Sequence, residues 1–197
     1  MRDSSSDVDA MSHAPAHGFA LFDTAIGWCA IAWNERGIAG VQLPEADEGA
    51  TRRRMQRRFP QMIELPPPAH VESVCRGIEA LLRGEPDELS TVRLDMDGVP
   101  TLHRRVYDIT RGIAAGATLT YGDIAQRLGD ASLARAVGQA LGRNPFAPIV
   151  PCHRVLAAGD KAGGFSAHGG LATKLRLLAI EGAALNGAPG LFDRDLA

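Results

Sequence analysis

Cysteines and long apolar runs are both scarce in this sequence. Its 197 residues include only three cysteines, Cys29, Cys75 and Cys152. An odd number without paired-ligand spacing argues against a disulfide framework or a zinc knuckle and favours a reducing, cytoplasmic setting. No apolar stretch approaches the ~20 residues of a membrane span, and the polar N-terminus lacks the apolar segment of a signal peptide. We therefore expect a cytoplasmic protein that does not enter a membrane.

Positive and negative charges nearly balance overall, but they are unevenly distributed along the chain. The formal net charge is -2 at pH 7. Residues 1–97 hold 10 Lys and Arg against 16 Asp and Glu, whereas residues 98–183 hold 10 against 5. A basic half joined to an acidic half indicates a polyanionic partner for the basic one, although an asymmetry of this size also arises by chance.

Residues 18–97 show the patterns of a small α+β domain. The segment before them, 1–17, is rich in Ser, Asp, His and Ala and is predicted to be disordered. Alternating apolar residues predict strands, and apolar residues at helical spacing predict helices. The strands are expected over 19–22, 27–33, 38–43 and 92–96, and the helices over 48–59 and 71–82.

Neither predicted helix of this half carries a motif that indicates a catalytic activity. Cys75 lies on the apolar stripe of the second helix, which predicts an inert packing residue. The first helix is rich in arginine, and its arginines fit either a DNA-binding patch or a solvated helix face.

Residues 98–183 are expected to form a helical domain, followed by a tail over 184–197. Apolar residues at helical spacing predict a helix over 102–113. Thr120 and Asp123 then form the pattern of a capping box, which predicts a helix reaching Leu128. Gly129 and Asp130 predict a tight turn, with Asp130 as the cap of a second helix ending near Arg143. Two short helices joined in this way are typical of a helix-turn-helix.

The second of these helices carries an unusual face. Arg135, Gly138, Gln139 and Gly142 fall at i, i+3, i+4 and i+7. Each glycine on such a face lowers helix stability by roughly 1 kcal/mol relative to alanine. This face therefore indicates either that a ligand approaches the helix closely or that a neighbouring helix packs tightly against it.

The segment after Asn144-Pro145 contains the clearest candidate for chemistry. Cys152 stands beside His153 on a turn bounded by Pro151, a pattern that fits a thiolate nucleophile. A free thiol has a pKa near ~8.5, so a base or a helix N-terminus would be needed to activate it at neutral pH. A buried structural cysteine fits the same two residues, whereas a metal site does not, because no second ligand pair is present.

These motifs together resemble those of the O6-alkylguanine-DNA alkyltransferases, also called methylated-DNA–protein-cysteine methyltransferases. The strongest are Pro151-Cys152-His153-Arg154-Val155, the upstream Arg135-Ala136-Val137-Gly138, and Asn144-Pro145 between them. The resemblance extends to Tyr121-Gly122, Gly163-Gly164-Phe165-Ser166, Gly169-Gly170, Lys174, Leu177-Leu178 and Glu181-Gly182. It is strong over about 100–183 and looser over 19–97, where it rests on Gly27 and Gly40-Val41-Gln42-Leu43-Pro44.

The resemblance implies an α+β fold with two parts. The first is a small N-terminal antiparallel-sheet domain that is ribonuclease H-like. The second is a helical C-terminal domain with a helix-turn-helix and an active-site loop.

The resemblance also implies a reaction and its participants. Cys152 accepts the alkyl group from O6-alkylguanine in double-stranded DNA, once per molecule, with no cofactor and no metal, and the chain acts as a monomer. His153 is the base, acting through a water, and Glu181 holds its imidazole. Tyr121 crowds the phosphate of the target nucleotide and protonates the departing guanine. The range of alkyl groups, and activity on O4-alkylthymine, stay open.

The remaining roles concern DNA binding and the base pocket. Arg135 enters the stack in place of the extruded base, on a helix that sits in the minor groove. DNA contacts are implied for Gly122, Gly138 and Gln139. The substrate pocket is implied for Asn144, Val155 and Ser166.

Some features depart from the family pattern or leave alternatives. Phe165 stands where many relatives have tyrosine, and His168 is expected to be a solvent-facing loop residue. No zinc-binding set is visible in the N-terminal half. A turnover cysteine hydrolase and a non-catalytic lesion sensor are the competing hypotheses. The first would release product beyond one equivalent, and the second would bind alkylated DNA without modifying Cys152.

Overall fold

The computed structural model describes residues 17–85, 89–159 and 162–183. The predicted tails over 1–17 and 184–197 lie outside the described residues, apart from His17. The N-terminal half contains β1 (Gly18–Phe22), β2 (Cys29–Asn34), β3 (Gly37–Gln42), α1 (Glu48–Arg58) and α2 (Ala69–Leu82). The C-terminal half contains α3 (Thr101–Arg111), β4 (Leu119–Thr120), α4 (Tyr121–Arg127), α5 (Ala134–Gly142), β5 (Val155–Leu156) and α6 (Leu171–Ile180). Among these residues, none of the helices combines the length and apolarity that crossing a membrane requires.

The N-terminal sheet is antiparallel, with strand order β1-β2-β3. Its central strand is buried on both faces, and the two faces carry side chains of different size. Ile31 and Trp33 pack into the cluster that includes residues of α2, whereas Ala30 and Ala32 pack with Met55 of α1. Small side chains on one face allow α1 to lie close to the strand, while large ones fill the space beneath α2.

The strand predicted over 92–96 is wrong. This segment makes a single parallel bridge, between Leu94 and Ile38 of β3, and no strand. Its two edges make different contacts, because the Arg93 carbonyl accepts from the Ile38 amide of β3, whereas the Val92 carbonyl, on the opposite edge, accepts a hydrogen bond of 2.8 Å from Arg111 Nη2. A 3-10 turn at Leu89–Thr91 directly precedes the segment, and its pairing with β3 is limited to one bridge.

The helix-turn-helix forms, with one correction. Thr120 and Asp123 make the expected capping box at the start of α4. Asp130, however, accepts from the Ser132 amide and caps a 3-10 turn over Ala131–Leu133, and α5 begins only at Ala134. The extra turn separates the cap from the helix that it was expected to start.

The two halves share their packing at the active-site segment. Ile149 and Leu177, from the C-terminal half, belong to the buried cluster of the N-terminal sheet and α2. The Val41 amide of β3 donates to the Pro145 carbonyl at 2.8 Å. Short strands β4 and β5 pair in parallel, which joins the start of α4 to the chain that follows Cys152. The N-terminal sheet therefore contacts the loop that precedes the candidate nucleophile.

Candidate active site

Cys152 begins a 3-10 turn, Cys152–Arg154, and is only 7% exposed. The loop before it is fixed by Asn144. The side-chain Nδ2 of Asn144 donates to the Val150 backbone carbonyl at 2.8 Å, and its Oδ1 accepts from the Phe146 backbone amide at 2.9 Å. The Cys152 amide also donates to the Val150 carbonyl. One side chain thus connects the end of α5 to the turn that carries the thiol.

A buried network surrounds His153. Its Nε2 lies 2.8 Å from Glu181 Oε1, although the two residues are 28 positions apart in the sequence. Arg154 donates to both carboxylate oxygens of Glu181, from Nε at 2.9 Å and from Nη2 at 2.8 Å. All three side chains are at least nine-tenths buried. This geometry fixes the imidazole between the turn and the end of α6.

The protonation of this network follows from its partners. Burial works against the charged form of Glu181, but hydrogen bonds from His153 and Arg154 outweigh it and lower the pKa of Glu181 to about 2. Burial lowers the pKa of His153, against the opposite effect of Glu181. At neutral pH we therefore assign an ionised Glu181 and a neutral His153 that donates Nε2–H to it. Nδ1 is then the acceptor nitrogen, and it is buried with no partner among the described protein atoms.

The thiol of Cys152 is not activated by its surroundings alone. Burial raises the pKa of Cys152, while a hydrogen bond from Asn144 and the charge of Lys174 act in the opposite direction. A buried thiol of this kind holds its proton at neutral pH, so a base must remove it before it can act as a nucleophile.

Lys174 is a buried charged residue with 0% exposure. Its Nζ donates to the Val155 carbonyl and lies 6.0 Å from the centre of the Tyr121 ring. Burial lowers the pKa of Lys174 to about 8, while the charge of Cys152 acts to raise it. Lys174 thus contacts Val155 and Tyr121, and its charge acts on the thiol of Cys152.

Tyr121, the first residue of α4, lies close to the loop that precedes Phe165. A Cβ placed on Gly163 would be 3.1 Å from Tyr121 Oη, and Gly163 has a φ of +70°. Both the left-handed backbone and the short distance favour glycine at this position. Burial raises the pKa of Tyr121, so its hydroxyl keeps its proton and can donate it.

The outer face of α5 is open. Arg135, Gln139 and Gly142 are exposed, and Gly138 is half-buried. A Cβ on Gly142 would meet nothing within 4 Å, and a Cβ on Gly138 would meet only Tyr121, at 3.9 Å. The structure therefore does not support packing of a neighbouring helix as the reason for these glycines. Gly122, on α4, is also half-buried.

A cleft of about 290 Å³ opens beside Cys152. Asn144 and Ser166 line it, as do side chains of the N-terminal half. Val155 is not part of its lining and is fully buried, with its carbonyl held by Lys174. His168, as expected, is exposed, and it lies 3.6 Å from Glu45.

Known proteins resemble this chain in both sequence and fold. The family model described as "6-O-methylguanine DNA methyltransferase, DNA binding domain" matches residues 101–183. A methylated-DNA–protein-cysteine methyltransferase of Methanosarcina acetivorans is 34% identical in an alignment of 170 residues that covers 83% of this chain and 97% of that protein. One from Methanothermobacter thermautotrophicus is 32% identical over 157 residues, which are 80% and 81% of the two chains.

The chain belongs to the methylated-DNA–protein-cysteine methyltransferase family. A crystal structure of Mycobacterium tuberculosis OGT in complex with DNA superposes with a TM-score of 0.70 at 30% identity. The match covers 84% of this chain and 92% of that one. The expected fold class, a small antiparallel-sheet domain followed by a helical domain, is confirmed.

Within this methyltransferase fold, the structure brings Cys152, His153, Glu181 and Asn144 into one site. Two further residues of the site were not given roles from the sequence, namely Arg154 and Lys174. A signal for Lys174 was present, because Lys174, Leu177 and Leu178 of α6 and its C-cap residue Glu181 fall at i, i+3, i+4 and i+7. A lysine on an otherwise buried helix face indicates a buried charge with a fixed partner.

No metal-binding group was expected. Within the parts of the chain that the structure describes, no three His, Cys, Asp or Glu side chains come together as candidate metal ligands.

Proposed function

We propose that this methyltransferase-family chain repairs O6-alkylguanine in double-stranded DNA by transferring the alkyl group to Sγ of Cys152. The observation that carries the proposal is the buried Cys152 turn beside a neutral His153 that is held by Glu181 and Arg154. This arrangement supplies both a nucleophile and a base for it.

The first step is removal of the thiol proton. His153 Nδ1 accepts it, through a bridging water, and the positive charge that forms on the imidazole is stabilised by the ionised Glu181 at 2.8 Å. Arg154 keeps that carboxylate in place with two hydrogen bonds. Lys174 adds a nearby positive charge that favours the thiolate.

In the second step the thiolate attacks the alkyl carbon. The carbon–sulfur bond forms as the bond to guanine O6 breaks, and the electron pair passes to the guanine. Tyr121 donates a proton to the departing base, and its hydroxyl is protonated at neutral pH because burial raises the pKa of this phenol. The product is a thioether on Cys152, which none of the groups described here can hydrolyse. Each molecule therefore reacts once, and no cofactor takes part.

The helix-turn-helix presents DNA to this site. The exposed Arg135 on α5 fills the space that the extruded base leaves in the stack. Gly138 and Gly142 leave room for the minor groove, and Gln139 and Gly122 contact the DNA beside it. Gly138 faces Tyr121, so the DNA-binding face and the active site adjoin.

The extruded base enters the pocket beside Cys152. Asn144 braces the turn, and the backbone near Ser166 and Val155 lines the position of the guanine. We also propose that the chain acts as a monomer. A free Cys152 thiol requires a reducing compartment, and for this reason we place the protein in the cytoplasm.

The test is the intact mass of the protein after incubation with a duplex that contains one O6-methylguanine. We expect a gain of one methylene's mass, localised to Cys152 and saturating at one per molecule. Duplex that is bound and left unmodified would instead identify a lesion sensor. Guanine release beyond one equivalent of protein would identify a turnover hydrolase.

A further inference from the structure

The last turn of α1 lies against the loop that leads to Cys152. Arg58, the final residue of this helix, is half-buried, and its side chain reaches both halves of the molecule. Its Nη1 donates to the Val41 carbonyl of β3 at 2.9 Å and to Gln42 Oε1 at 3.3 Å. Its Nη2 donates to the Pro145 carbonyl at 3.1 Å, across 87 positions of sequence. One side chain of the N-terminal half therefore binds the backbone on both sides of the junction.

The Pro145 carbonyl is a fixed point of this loop. It accepts from a backbone amide of β3 at 2.8 Å as well as from Arg58, so donors of the N-terminal half occupy both of its lone pairs. Pro145 directly follows Asn144, whose side chain binds the Val150 carbonyl. The same Val150 carbonyl accepts from the Cys152 amide. A continuous set of hydrogen bonds thus leads from α1 to the residue that carries the thiol.

The sequence leaves room for this contact at Gly40 of β3. A Cβ at that position would lie 2.8 Å from Arg58 Nη2 and 2.7 Å from Phe59 Cζ. Any larger residue would therefore displace the guanidinium or the ring of Phe59. The missing side chain lets the end of α1 approach the strand closely, as glycines within strands often do.

The choice of arginine at position 58 indicates that its donors are needed. Burial works against the charged form and lowers the pKa of Arg58, and the neighbouring charge of Arg54 lowers it further. Within the part of the chain that the structure describes, Arg58 has no ion pair to compensate. Its partners are neutral oxygens on different segments, which a planar guanidinium binds together and the point charge of a lysine does not. Arg58 is thus suited to hold these segments in a fixed relation.

We propose that Arg58 is a positioning residue for alkyl transfer, which holds the loop over 144–152 against β3 and so keeps Sγ of Cys152 within reach of its base and of the alkyl carbon. The inference rests on the proposed alkyl transfer, and it adds a residue of the N-terminal half to those on which the reaction depends. Arg58 does not touch the reacting atoms, and its effect passes through Pro145 and Asn144.

The expected consequence of losing this contact is a lower rate with unchanged DNA affinity. Arg58→Met keeps an apolar side chain beside Phe59 but has no donor for Pro145. Because small displacements of a reacting group slow a reaction strongly, the first-order rate constant of transfer should fall by about tenfold or more. The factor should be the same for O6-methylguanine in a duplex and for free O6-benzylguanine. Affinity for an undamaged duplex, measured by fluorescence anisotropy, should equal that of the wild type.

Hydrogen exchange provides a readout that does not depend on the reaction. The amides of Phe146, Val150 and Cys152 are all hydrogen-bonded within the loop. Exchange in the peptide that contains them, followed by mass spectrometry, should be faster in Arg58→Met than in the wild type. Unchanged exchange would overturn the proposal even if the rate constant fell.

Arg58→Lys separates the geometry of the guanidinium from its charge. The lysine keeps the positive charge but cannot bind the acceptors of both halves together, so its rate constant should stay several-fold below that of the wild type. A wild-type rate constant in this variant would overturn the proposal, because positive charge alone would then be sufficient.

Met55→Ala is the matched control for stability. Met55 is fully buried on the same helix, and its cluster contains no residue of the loop. Its truncation destabilises the N-terminal half but should leave the rate constant and the exchange of the loop unchanged. All variants are compared under conditions in which urea denaturation shows them to be folded.

Two further outcomes would overturn the role of Arg58. A fall of the same size in Met55→Ala and Arg58→Met would show that any loss of stability slows transfer. A fall on the duplex alone, together with weaker binding, would identify Arg58 as a DNA contact. Failure of the proposed function would look different, because the wild-type protein would then leave O6-methylguanine intact while the exchange measurement still reported on the loop.

Discussion

The three cysteines allow the two halves of the molecule to be compared directly. Cys29 and Cys75, in the N-terminal half, and Cys152, in the C-terminal half, are all buried and unbridged. Burial raises the pKa of each, to about 12 for Cys29 and Cys75. Only Cys152 has a lysine and an asparagine that act against this effect, and a histidine next to it in the chain. Neither burial nor a polar neighbour marks the nucleophile, because Cys29 also contacts Thr24, whereas the adjacent histidine distinguishes Cys152.

The ion pairs of the two halves differ in the same way. In the N-terminal half, Arg76 pairs with Glu72 with side-chain exposures of 62% and 58%. In the C-terminal half, Glu181 and Arg154 pair with side-chain exposures of 2% and 8%. An exposed pair contributes little to stability, and a buried pair is costly to break because one partner is left charged without compensation. The C-terminal half thus holds its charges rigidly at the point where a proton must move.

The largest expected effect separates the cysteines. Cys152→Ala should abolish alkyl transfer while duplex binding is retained, because no other thiol in the described structure has a base beside it. Intact mass and a gel-shift assay measure the two properties. Cys75→Ala is the control, and it should accept one methyl group per molecule as the wild type does. Lesion clearance by the Cys152→Ala protein would contradict the assignment of the nucleophile.

Breaking the buried pair of Glu181 and Arg154 should have the next largest effect on the rate of transfer and on stability. Glu181→Gln removes the charge that stabilises the imidazolium, so the transfer rate constant should fall on the order of 10²-fold, the range for loss of general-base catalysis. The free energy of unfolding should fall by about 3 kcal/mol, because Arg154 is left buried without its partner. Glu72→Gln, in the exposed pair with Arg76, should change stability by about 1 kcal/mol or less. Single-turnover kinetics and urea denaturation measure both variants, and a folded Glu181→Gln protein with the wild-type rate would exclude the role of Glu181.

The pH dependence of transfer tests the same network. The pKa of His153 lies below its ordinary value of 6.5, so the base is neutral at pH 7 and the rate should be level there. Below the pKa that His153 has in the folded protein, the rate should fall about tenfold per pH unit, because protonated His153 cannot accept a proton. In Glu181→Gln this fall should move to lower pH, since Glu181 acts to raise the pKa of His153. A purely structural role for Glu181 would leave the position of the fall unchanged.

Stability should change with pH in the same direction. The unfolded chain binds a proton at His153 below about pH 6.5, and at Glu181 below about pH 4.5, whereas the folded chain binds neither until the pH is lower. Both groups therefore contribute stability above those values and lose it as the pH falls.

The DNA-binding face should give a smaller effect that depends on the substrate. Arg135→Ala should slow repair of O6-methylguanine in duplex DNA by up to about tenfold, because base extrusion then loses the side chain that replaces the base. Reaction with free O6-benzylguanine, which needs no extrusion, should change little. Arg57→Ala, an exposed arginine of α1, serves as the control. Equal slowing on both substrates would show that Arg135 acts through the fold.

Local signals in the sequence predicted the local structure well. The capping box at Thr120 and Asp123 and the apolar stripe of α2 each involve residues within a few positions, and both form as predicted. The strand predicted over 92–96 does not form, because a 3-10 turn at Leu89–Thr91 directly precedes the segment, and Arg111 of α3 binds the Val92 carbonyl on the edge away from β3. The contact with Arg111 spans 19 residues and leaves no trace in the alternation of the segment itself.

In the active site, too, local sequence signals predicted some features, and contacts between distant segments created the others. The pairing of His153 with Glu181 was expected from the family resemblance, since spacing alone could not place residues 28 positions apart in contact. The buried contacts of Lys174 and the second partner of Glu181, Arg154, depend on how α6 packs against the Cys152 turn. Local sequence specifies helices and caps, whereas the packing of distant segments creates the proton-transfer network.

The smallest effect concerns two glycines, one from each half. Gly40 lies in β3, where a Cβ would be 2.7 Å from Phe59 Cζ and 2.8 Å from Arg58 Nη2. Gly138 lies on α5, where a Cβ would be 3.9 Å from the Tyr121 ring, an ordinary contact. Gly40→Ala should therefore lower the free energy of unfolding by about 1–3 kcal/mol through overpacking. Gly138→Ala should raise it by up to ~1 kcal/mol, because alanine favours the helix.

Glycine at position 138 therefore lowers stability relative to alanine, and duplex binding tests whether this position must stay small. If the minor groove approaches this face, the added methyl group in Gly138→Ala should weaken duplex binding several-fold although the protein is more stable. Fluorescence anisotropy with an undamaged duplex measures the affinity, and urea denaturation measures the stability. Wild-type affinity in the stabilised variant would show that DNA does not come close to α5 at this position, and the open face would need another ligand.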